Sequence, residues 1–253
     1  MCGRYAIING NKIFLTFEKL KDLEVRGQAF EMLPRYNAAP TDSVPAIAMR
    51  HKKLGVERMR WWLIPHTSQD GKPLTGSDNR PLSAFNAKSE TLESSRLFSP
   101  YFQNARCLVP ADAFYEWKKI TVTGEVRGKK KESVEKQPIV FRMKDERMFM
   151  FAGLFSVWRN DQGEEFPSFA IITTEPNELM KPVHNRMPVI LQENDFDQWI
   201  DRNNKDTEEL KKLLVPYPAE KMSAYAVSKL VSSSRNDGPE CLEPVKTEES
   251  LFD

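Results

Sequence analysis

The apolar residues of the chain fall mostly into short runs, each bounded by polar turns or by glycine and proline. Runs of this length are typical of β-strands. They predict strands over residues 4–8, 44–49, 56–64, 107–109, 112–117, 138–143, 148–157, 167–174 and 187–191. Helical spacing is confined to a few stretches, which predict helices within 11–32, near 89, over 98–105 and over 194–214.

Three polar stretches separate these elements. Residues 34–41 predict an extended loop, because a residue before proline is held out of the helical region. Residues 66–81, rich in Gly, Pro, Ser and Asp, predict a second loop. The lysine-rich residues 121–136 predict a solvated hairpin loop. Many strands, few long helices and no regular strand–helix alternation favour one α+β domain.

The composition excludes several classes of protein. The 253 residues are 40% hydrophobic and 29% charged, as in a globular protein with a substantial core. The sequence has neither a run of about 18 apolar residues nor a secretory signal, so we expect no membrane association. Three cysteines without framework spacing indicate a reducing, cytoplasmic compartment. The net charge of +1 argues against bulk polyanion binding, so nucleic acid would need a local basic patch.

A cysteine follows the initiator methionine, at a position where that methionine is normally removed. Removal makes Cys2 the N-terminus, with an α-amine and a thiol on adjacent carbons. The amine can condense with an aldehyde to a Schiff base, and the thiol can then close a five-membered thiazolidine ring. An α-amine has a pKa of about 7.7–8.0, and Arg4 could activate the thiol. The alternative is an ordinary N-terminal cysteine without a role.

Two further residues could take part in chemistry. Asn86 leaves the loop 66–81, and its amide can donate and accept at once, so it could orient a reacting hydroxyl or carbonyl; a helix-capping asparagine is the alternative. Glu116 lies between Tyr115 and Trp117 in an apolar strand. Desolvation would raise its pKa toward neutrality, as a general acid or base requires. Alternatively, its side chain points to water on the opposite face of the strand.

One of the three histidines, His184, lies in a proline-bracketed loop beside Arg186. Its ordinary pKa suits proton transfer near neutral pH, although a lone histidine can also be structural. His51 and His66 lie in polar turns and are assigned no role. Because no Cys or His pair has metal-ligand spacing, we predict no metal site and no cofactor. Basic and aromatic residues are interleaved along the chain, a pattern that suits nucleic acid but is weak alone.

Six motifs follow one another along nearly the whole chain. They are Met-Cys-Gly-Arg-Tyr at 1–5, Arg-Tyr-Asn-Ala-Ala-Pro at 35–40, Trp-Trp-Leu-Ile-Pro at 61–65, Asn-Ala-Lys-Ser-Glu-Thr at 86–91, Arg-Cys-Leu-Val-Pro-Ala-Asp-Ala-Phe-Tyr-Glu-Trp at 106–117 and His-Asn-Arg-Met-Pro-Val-Ile-Leu at 184–191. Together they resemble the SRAP family (SOS-response-associated peptidase), whose members shield abasic sites in single-stranded DNA. The resemblance implies one compact α+β domain over 1–245, with a strand-rich, barrel-like centre and flanking helices, and a frayed tail over 246–253.

The resemblance also implies roles for individual residues. Cys2, after loss of Met1, would form a thiazolidine with the ring-opened aldehyde of an abasic deoxyribose. Asn86 would orient the sugar or the Cys2 amine, Glu116 would move protons, and His184 would act as acid or base near the sugar hydroxyl or the 3′ phosphate. Weak strand scission by β-elimination is also expected. The residues implied to hold DNA or line its cleft are Arg4, Arg35, Asn37, Pro40, Lys88, Arg96, Thr173 and Arg186.

The chain departs from the family pattern at three places. His66-Thr67 stand where some relatives carry a Trp pair that wedges a base step, Lys88 stands where arginine is common, and Asn185 replaces the usual aspartate. None of these positions is one of the four residues with an implied chemical role. The expected partner is therefore single-stranded DNA containing abasic sites. We expect a cytoplasmic monomer that is nucleoid-associated when bound to DNA.

Three functions are compatible with these observations. The leading hypothesis is a covalent sensor of abasic sites, which requires a free N-terminal Cys2. The second is a cysteine peptidase with Cys2 as nucleophile and His184 as base. The third is a non-covalent single-strand binding module, whose affinity would fall with salt and would be indifferent to Cys2→Ala. The modest net charge favours the first over the third, because a covalent trap can begin from a weak encounter.

Overall fold

A computed structural model describes residues 2–76, 79–126 and 129–245, leaving aside the side chains of 123–131. Its strands are β1 Tyr5–Ile7, β2 Glu24–Val25, β3 Arg35–Ala38, β4 Ser43–Arg50, β5 Lys53–Trp61, β6 Asn86–Lys88, β7 Arg106–Ala111, β8 Ala113–Val126, β9 Lys129–Met143, β10 Phe149–Arg159, β11 Glu165–Thr174, β12 Met187–Pro188, β13 Ile190–Leu191 and β14 Met222–Ala226. Its α-helices are α1 Lys12–Thr16, α2 Ser99–Asn104, α3 Phe196–Ile200 and α4 Thr207–Lys212. Short 3₁₀ turns cover Glu18–Leu20, Ser89–Thr91, Glu193–Asp195, Ala219–Lys221, Lys229–Ser232 and Pro239–Leu242.

Five strands close into a barrel in the order β11, β10, β7, β4, β5 and back to β11. Four of the pairings are antiparallel, and the closing pair of β5 and β11 is parallel. In the barrel core, Trp61 and Phe169 stack with their ring planes 3° apart. Closure leaves these strands without open edges. The predicted α+β fold with a strand-rich, barrel-like centre is confirmed.

A second sheet, in the order β14, β9, β8, β1, β3, shares the core of the barrel. The ring of Tyr5 on β1 contacts Trp61 at 5.1 Å between centroids, and Phe114 on β8 contacts Phe151 at 6.0 Å. Because β1 lies between β3 and β8, the residues that precede β1 are held beside both strands. This placement positions the N-terminus of the chain.

Three expectations about local structure are wrong. Residues 34–41, predicted as a loop, contain the strand β3, because their extended backbone pairs with β1. Residues 121–126 and 129–136 form part of a long antiparallel ribbon of β8 and β9, paired from Phe114–Phe141 to Val126–Lys129. The described side chains of this stretch are mostly polar and solvent-exposed, so the apolar alternation that marks a strand is missing. The predicted helix over 194–214 is two helices, α3 and α4, and Asp206 caps the second by accepting from the Glu209 N–H at 3.1 Å. The predicted tail over 246–253 lies outside the described residues.

The buried guanidinium of Arg106 holds the helical layer to the barrel. It donates hydrogen bonds of 2.5–3.0 Å to the backbone carbonyls of Phe102, Gln103, Trp199, Asp201 and Asn204. We expect Arg106→Met to lower the free energy of unfolding by about 3–5 kcal/mol, because these carbonyls lose their donors in a buried site. Urea unfolding measures the loss. Arg202→Met, which removes a bond from an exposed side chain, is the control, and a loss below about 1 kcal/mol for Arg106→Met would contradict the assignment.

Candidate active site

An open cleft of about 660 Å³ lies where the N-terminus, β8 and the turn before β12 meet. Tyr115 N–H donates to the Arg4 carbonyl at 3.0 Å, which places residues 2–4 alongside β8. The cleft combines cations and aromatic rings with one acid and one histidine. Its lining residues are Gly3, Arg4, Pro40, Phe85, Glu116, Trp117, Lys119, Lys136, His184 and Ser232.

Asn86 fixes the backbone of Cys2. Its Nδ2 donates to the Cys2 carbonyl at 2.7 Å, in a contact buried from solvent. Its Oδ1 is buried and has no hydrogen-bond partner within the described part of the chain. The following 3₁₀ turn begins at Ser89, with Lys88 at the cap position and no side-chain cap, so the helix-capping alternative is wrong. An unsatisfied buried amide oxygen is costly, and here it can accept a hydrogen bond from a group that binds beside Cys2.

The Cys2 thiol is held in its neutral form. The residue is fully buried, and burial raises the pKa of the thiol, as does the negative charge of Glu116. The Arg4 guanidinium donates to the Val231 carbonyl at 3.0 Å and, more weakly, to that of Ser232 at 3.4 Å. The expectation that Arg4 activates the thiol is therefore wrong, because burial outweighs any nearby cation.

Glu116 is 4% exposed. Burial raises the pKa of its carboxyl to about 7. The alternative in which its side chain points to water is therefore wrong. Glu116 pairs with Ile139 in the regular register of β8 and β9. A pKa of about 7 means that the acid and the carboxylate are both populated at neutral pH, which suits either donation or acceptance of a proton.

The raised pKa of Glu116 predicts that stability falls as pH rises from 5 to 8. The folded carboxyl has a pKa of about 7, whereas an unfolded one has about 4.3. Between these values the folded protein holds a proton that the unfolded chain has released, so raising the pH favours unfolding. The loss approaches about 3 kcal/mol and is nearly complete by about pH 8.

Urea unfolding at pH 5 and pH 8 measures this dependence in the wild type and in Glu116→Gln. The glutamine variant should lack this loss. The lowered pKa of His184 acts in the opposite direction in both proteins, so the difference between them isolates Glu116. Equal pH dependence in the two proteins would contradict the raised pKa.

His184 borders the same cleft and is neutral at pH 7. Burial and nearby positive charge lower the pKa of its imidazole. Its Nδ1 lies 3.1 Å from the Arg186 backbone nitrogen, which donates to it, and 3.3 Å from the Arg186 carbonyl oxygen. The turn therefore sets the position of the ring and leaves Nε2 as the ring nitrogen that is not bonded to the Arg186 backbone.

The residues predicted to hold DNA separate into three groups. Arg4 and Pro40 line the cleft. Lys88 and Arg96 are exposed but outside its lining. The remaining four are either buried or ion-paired with other residues of the protein. These are Arg35, Asn37, Thr173 and Arg186.

The last group corrects part of the sequence analysis. Asn37 and Thr173 were expected to line the cleft, but both are fully buried. The Asn37 amide lies 2.7–3.1 Å from three carbonyls of residues 231–236. Arg35 is ion-paired with two aspartates, and Arg186 with Glu90 at 2.5 Å. The motifs that carry the family resemblance therefore contain buried structural residues as well as surface residues.

Other lining residues were not predicted to be in the site. Phe85, Trp117, Lys119, Lys136 and Ser232 all border the cleft. Nothing in the sequence pattern indicated that Lys136 belongs to the site. Its position opposite Lys119 depends on the pairing register of β8 and β9, and this stretch was predicted as a loop. Trp61, the first tryptophan of the motif at 61–65, is fully buried.

A separate cavity of about 400 Å³ includes His51 and His66 in its lining. It contains none of the residues predicted for the site. Within the described ranges, no group of three or more His, Cys, Asp or Glu residues could hold a metal ion. Over the same ranges, no helix has the length and apolar character needed to cross a membrane.

The fold and the cleft define a class: a barrel-centred α+β protein whose N-terminal residues lie in a groove of cations and aromatic rings. The chain belongs to the SRAP family, because the family model described as SOS response associated peptidase (SRAP) matches residues 1–234.

Curated relatives agree with this assignment, and a solved structure shares the fold. The abasic site processing protein YoqW of Bacillus subtilis is 34% identical over 243 residues, covering 96% of this chain and 99% of the relative. The chicken abasic site processing protein HMCES is 30% identical over 269 residues, covering 97% of this chain and 78% of the relative. A crystal structure of a Bacteroides thetaiotaomicron protein, 24% identical, has the same fold with a TM-score of 0.75 and covers 97% of this chain and all of its own.

Proposed function

We propose that this protein processes abasic sites in single-stranded DNA by linking itself to the lesion through Cys2. The relatives named as abasic site processing proteins, matched over nearly the full chain, support the substrate. The observation that carries the chemistry is the buried carboxyl of Glu116, which lines the cleft and whose negative charge acts on the buried Cys2 thiol. Acting on such lesions would place the protein on cellular DNA.

The reaction uses the two groups of an N-terminal Cys2. After removal of Met1, the α-amine adds to the aldehyde carbon of the ring-opened deoxyribose, and loss of one water gives an imine. The Cys2 sulfur then bonds to the same carbon, the electron pair of the C=N bond moves to nitrogen, and the thiol proton ends on that nitrogen. The products are a thiazolidine and one water.

Glu116 would serve both steps. Its acid form donates a proton to the departing hydroxyl as the imine forms, and its carboxylate accepts the thiol proton as the ring closes. A pKa of about 7 populates both forms at neutral pH. Asn86, already bonded to the Cys2 carbonyl, would hold the α-amine through its unpartnered Oδ1.

The remaining cleft residues would bind the strand. Arg4 supplies a cation for phosphate, and Phe85 and Trp117 supply flat apolar faces for unpaired bases. His184, whose Nδ1 contacts the Arg186 backbone, would contact a sugar or phosphate oxygen through Nε2. The imine could also lose the 3′ phosphate by β-elimination, and closure of the ring by the thiol would keep this scission weak.

The state of the thiol favours this reaction over peptide hydrolysis. A cysteine peptidase attacks with a thiolate, which requires a lowered thiol pKa. Here burial and Glu116 raise the pKa of Cys2. Ring closure tolerates a neutral thiol, because the adjacent carboxylate can remove its proton during the addition.

The test mixes untagged protein with a single-stranded oligonucleotide that carries one abasic site, followed by a denaturing gel without borohydride. We expect a shifted band that survives boiling. Protein with an uncleaved N-terminal extension is the matched control and should give no band, since its Cys2 nitrogen is an amide. If intact mass confirms loss of Met1 and no shifted band forms, the proposal is wrong and peptide hydrolysis becomes the next assay.

A further inference from the structure

Two lysines face each other across the base of the β8–β9 ribbon. Lys119 and Lys136 are direct cross-strand partners, both are exposed, and both line the cleft. Like charges directly opposite one another destabilise a strand pair. Neither ammonium forms an ion pair or hydrogen bond within the described part of the chain. The pair is therefore a local concentration of unbalanced positive charge beside the proposed reaction centre.

The opposite face of the ribbon differs. Its neighbouring cross-strand pair is Ile120 and Glu135, and the carboxylate of Glu135 is ion-paired with Lys229. At this cross-strand pair, therefore, the charge of Glu135 is balanced within the protein. The charge of Lys119 and Lys136 lies instead along the cleft, where a polyanion would lie.

An aromatic ring precedes the lysines on the same face. Trp117 lies two residues before Lys119, and alternate residues of a strand share a face. Its Nε1 donates to Ser232 Oγ at 3.0 Å, which fixes the ring, and the side chain is only half-buried. A fixed, partly exposed indole followed by two cations matches the alternation of base and phosphate along a single strand.

We propose that the base of the β8–β9 ribbon is a DNA-binding surface, formed by Trp117, Lys119 and Lys136, that holds the single strand flanking the lesion. This inference rests on the proposed function and names its substrate more closely: the lesion must be accompanied by unpaired nucleotides that reach the ribbon. Trp117 stacks on an unpaired base, and the lysines contact the adjacent phosphates. A duplex would offer phosphates to the lysines but no free base face to the indole.

The test measures binding of the intact protein to a labelled single-stranded oligonucleotide without an abasic site, by fluorescence anisotropy between 50 and 200 mM salt. We expect the double substitution Lys119→Gln and Lys136→Gln to weaken binding about tenfold at 50 mM salt and to reduce the slope of log K against log salt by about 1–1.5. The matched control, Lys53→Gln with Lys144→Gln, removes two exposed lysines outside the cleft and should leave both values unchanged. Because all four side chains are on the surface, we expect equal melting temperatures, and this result would exclude misfolding of either variant.

The same proteins are then mixed with a saturating abasic-site oligonucleotide at low salt. If the ribbon surface only binds the strand, the double variant should still reach full adduct yield. Unchanged affinity and salt slope in the double variant would overturn the ribbon proposal even if the adduct forms. Absence of adduct in the wild type would instead overturn the proposed chemistry. An equal loss for a duplex of the same length would show general phosphate attraction and would also overturn the single-strand assignment.

Discussion

Replacing Cys2 by serine is expected to lower the yield of heat-stable adduct at least about 100-fold, because a hydroxyl is a far weaker nucleophile than a thiol. Serine is small, so Met1 should still be removed and the α-amine retained. The variant should therefore form the imine with an abasic site but fail to lock it as a thiazolidine. Borohydride, which reduces an imine to a stable amine, should restore a covalent band.

The measurement compares denaturing gels with and without borohydride for the wild type, Cys2→Ser and Cys2→Ala. Cys241→Ser is the matched control, since it removes another buried free cysteine that does not line the cleft, and it should react like the wild type. A boiling-resistant band from Cys2→Ser without borohydride would show that sulfur does not close the linkage. Loss of the borohydride-trapped band as well would mean that the α-amine is not positioned to react.

Replacing Glu116 by glutamine is expected to slow adduct formation by about 10²–10⁴-fold, the usual contribution of a positioned acid or base. Glutamine keeps the size of the side chain but cannot donate or accept the proton. In the wild type, the acid form of Glu116 is lost as pH rises through about 7, so its donation to the departing hydroxyl should weaken above that pH. In the variant, the rate should continue to rise until the α-amine is deprotonated, near about pH 8.

Single-turnover rates from pH 5.5 to 9 test this prediction. Affinity for an oligonucleotide without an abasic site should change little in Glu116→Gln, because the loss lies in proton transfer. Glu175→Gln, an exposed carboxylate outside the cleft, is the control. A rate within about threefold of the wild type would remove Glu116 from the chemistry, since an essential acid or base contributes far more than that.

The β-rich character of the protein and its catalytic candidates were accessible from the sequence. The strands of the barrel are apolar runs long enough to be recognised locally, and Cys2, Asn86, Glu116 and His184 lie in conspicuous motifs. The structure places Asn86 against Cys2 and brings Glu116 and His184 to one cleft. Their roles in catalysis stay a prediction, which the adduct assays test.

The electrostatic state of these groups could not be predicted in the same way. The sequence suggested an activated thiol because Arg4 is nearby, but the guanidinium bonds to the Val231 carbonyl, and burial raises the pKa of Cys2. Glu116 could have pointed to solvent or to the core, since strand alternation alone does not say which face is covered. Burial raises the pKa of both Cys2 and Glu116, and burial depends on how the whole chain packs.

By itself, then, the sequence determined the α+β class and the positions of most strands along the chain, and it predicted a reactive amine and thiol on Cys2, because all of these depend on residues close together in the chain. Only the tertiary structure decided which motif residues face the cleft. Asn37 and Thr173 are buried, while Lys119 and Lys136 meet across a ribbon whose polar sequence predicted a loop. Pairing partners and solvent exposure depend on contacts between distant segments, and no local pattern of residues carries that information.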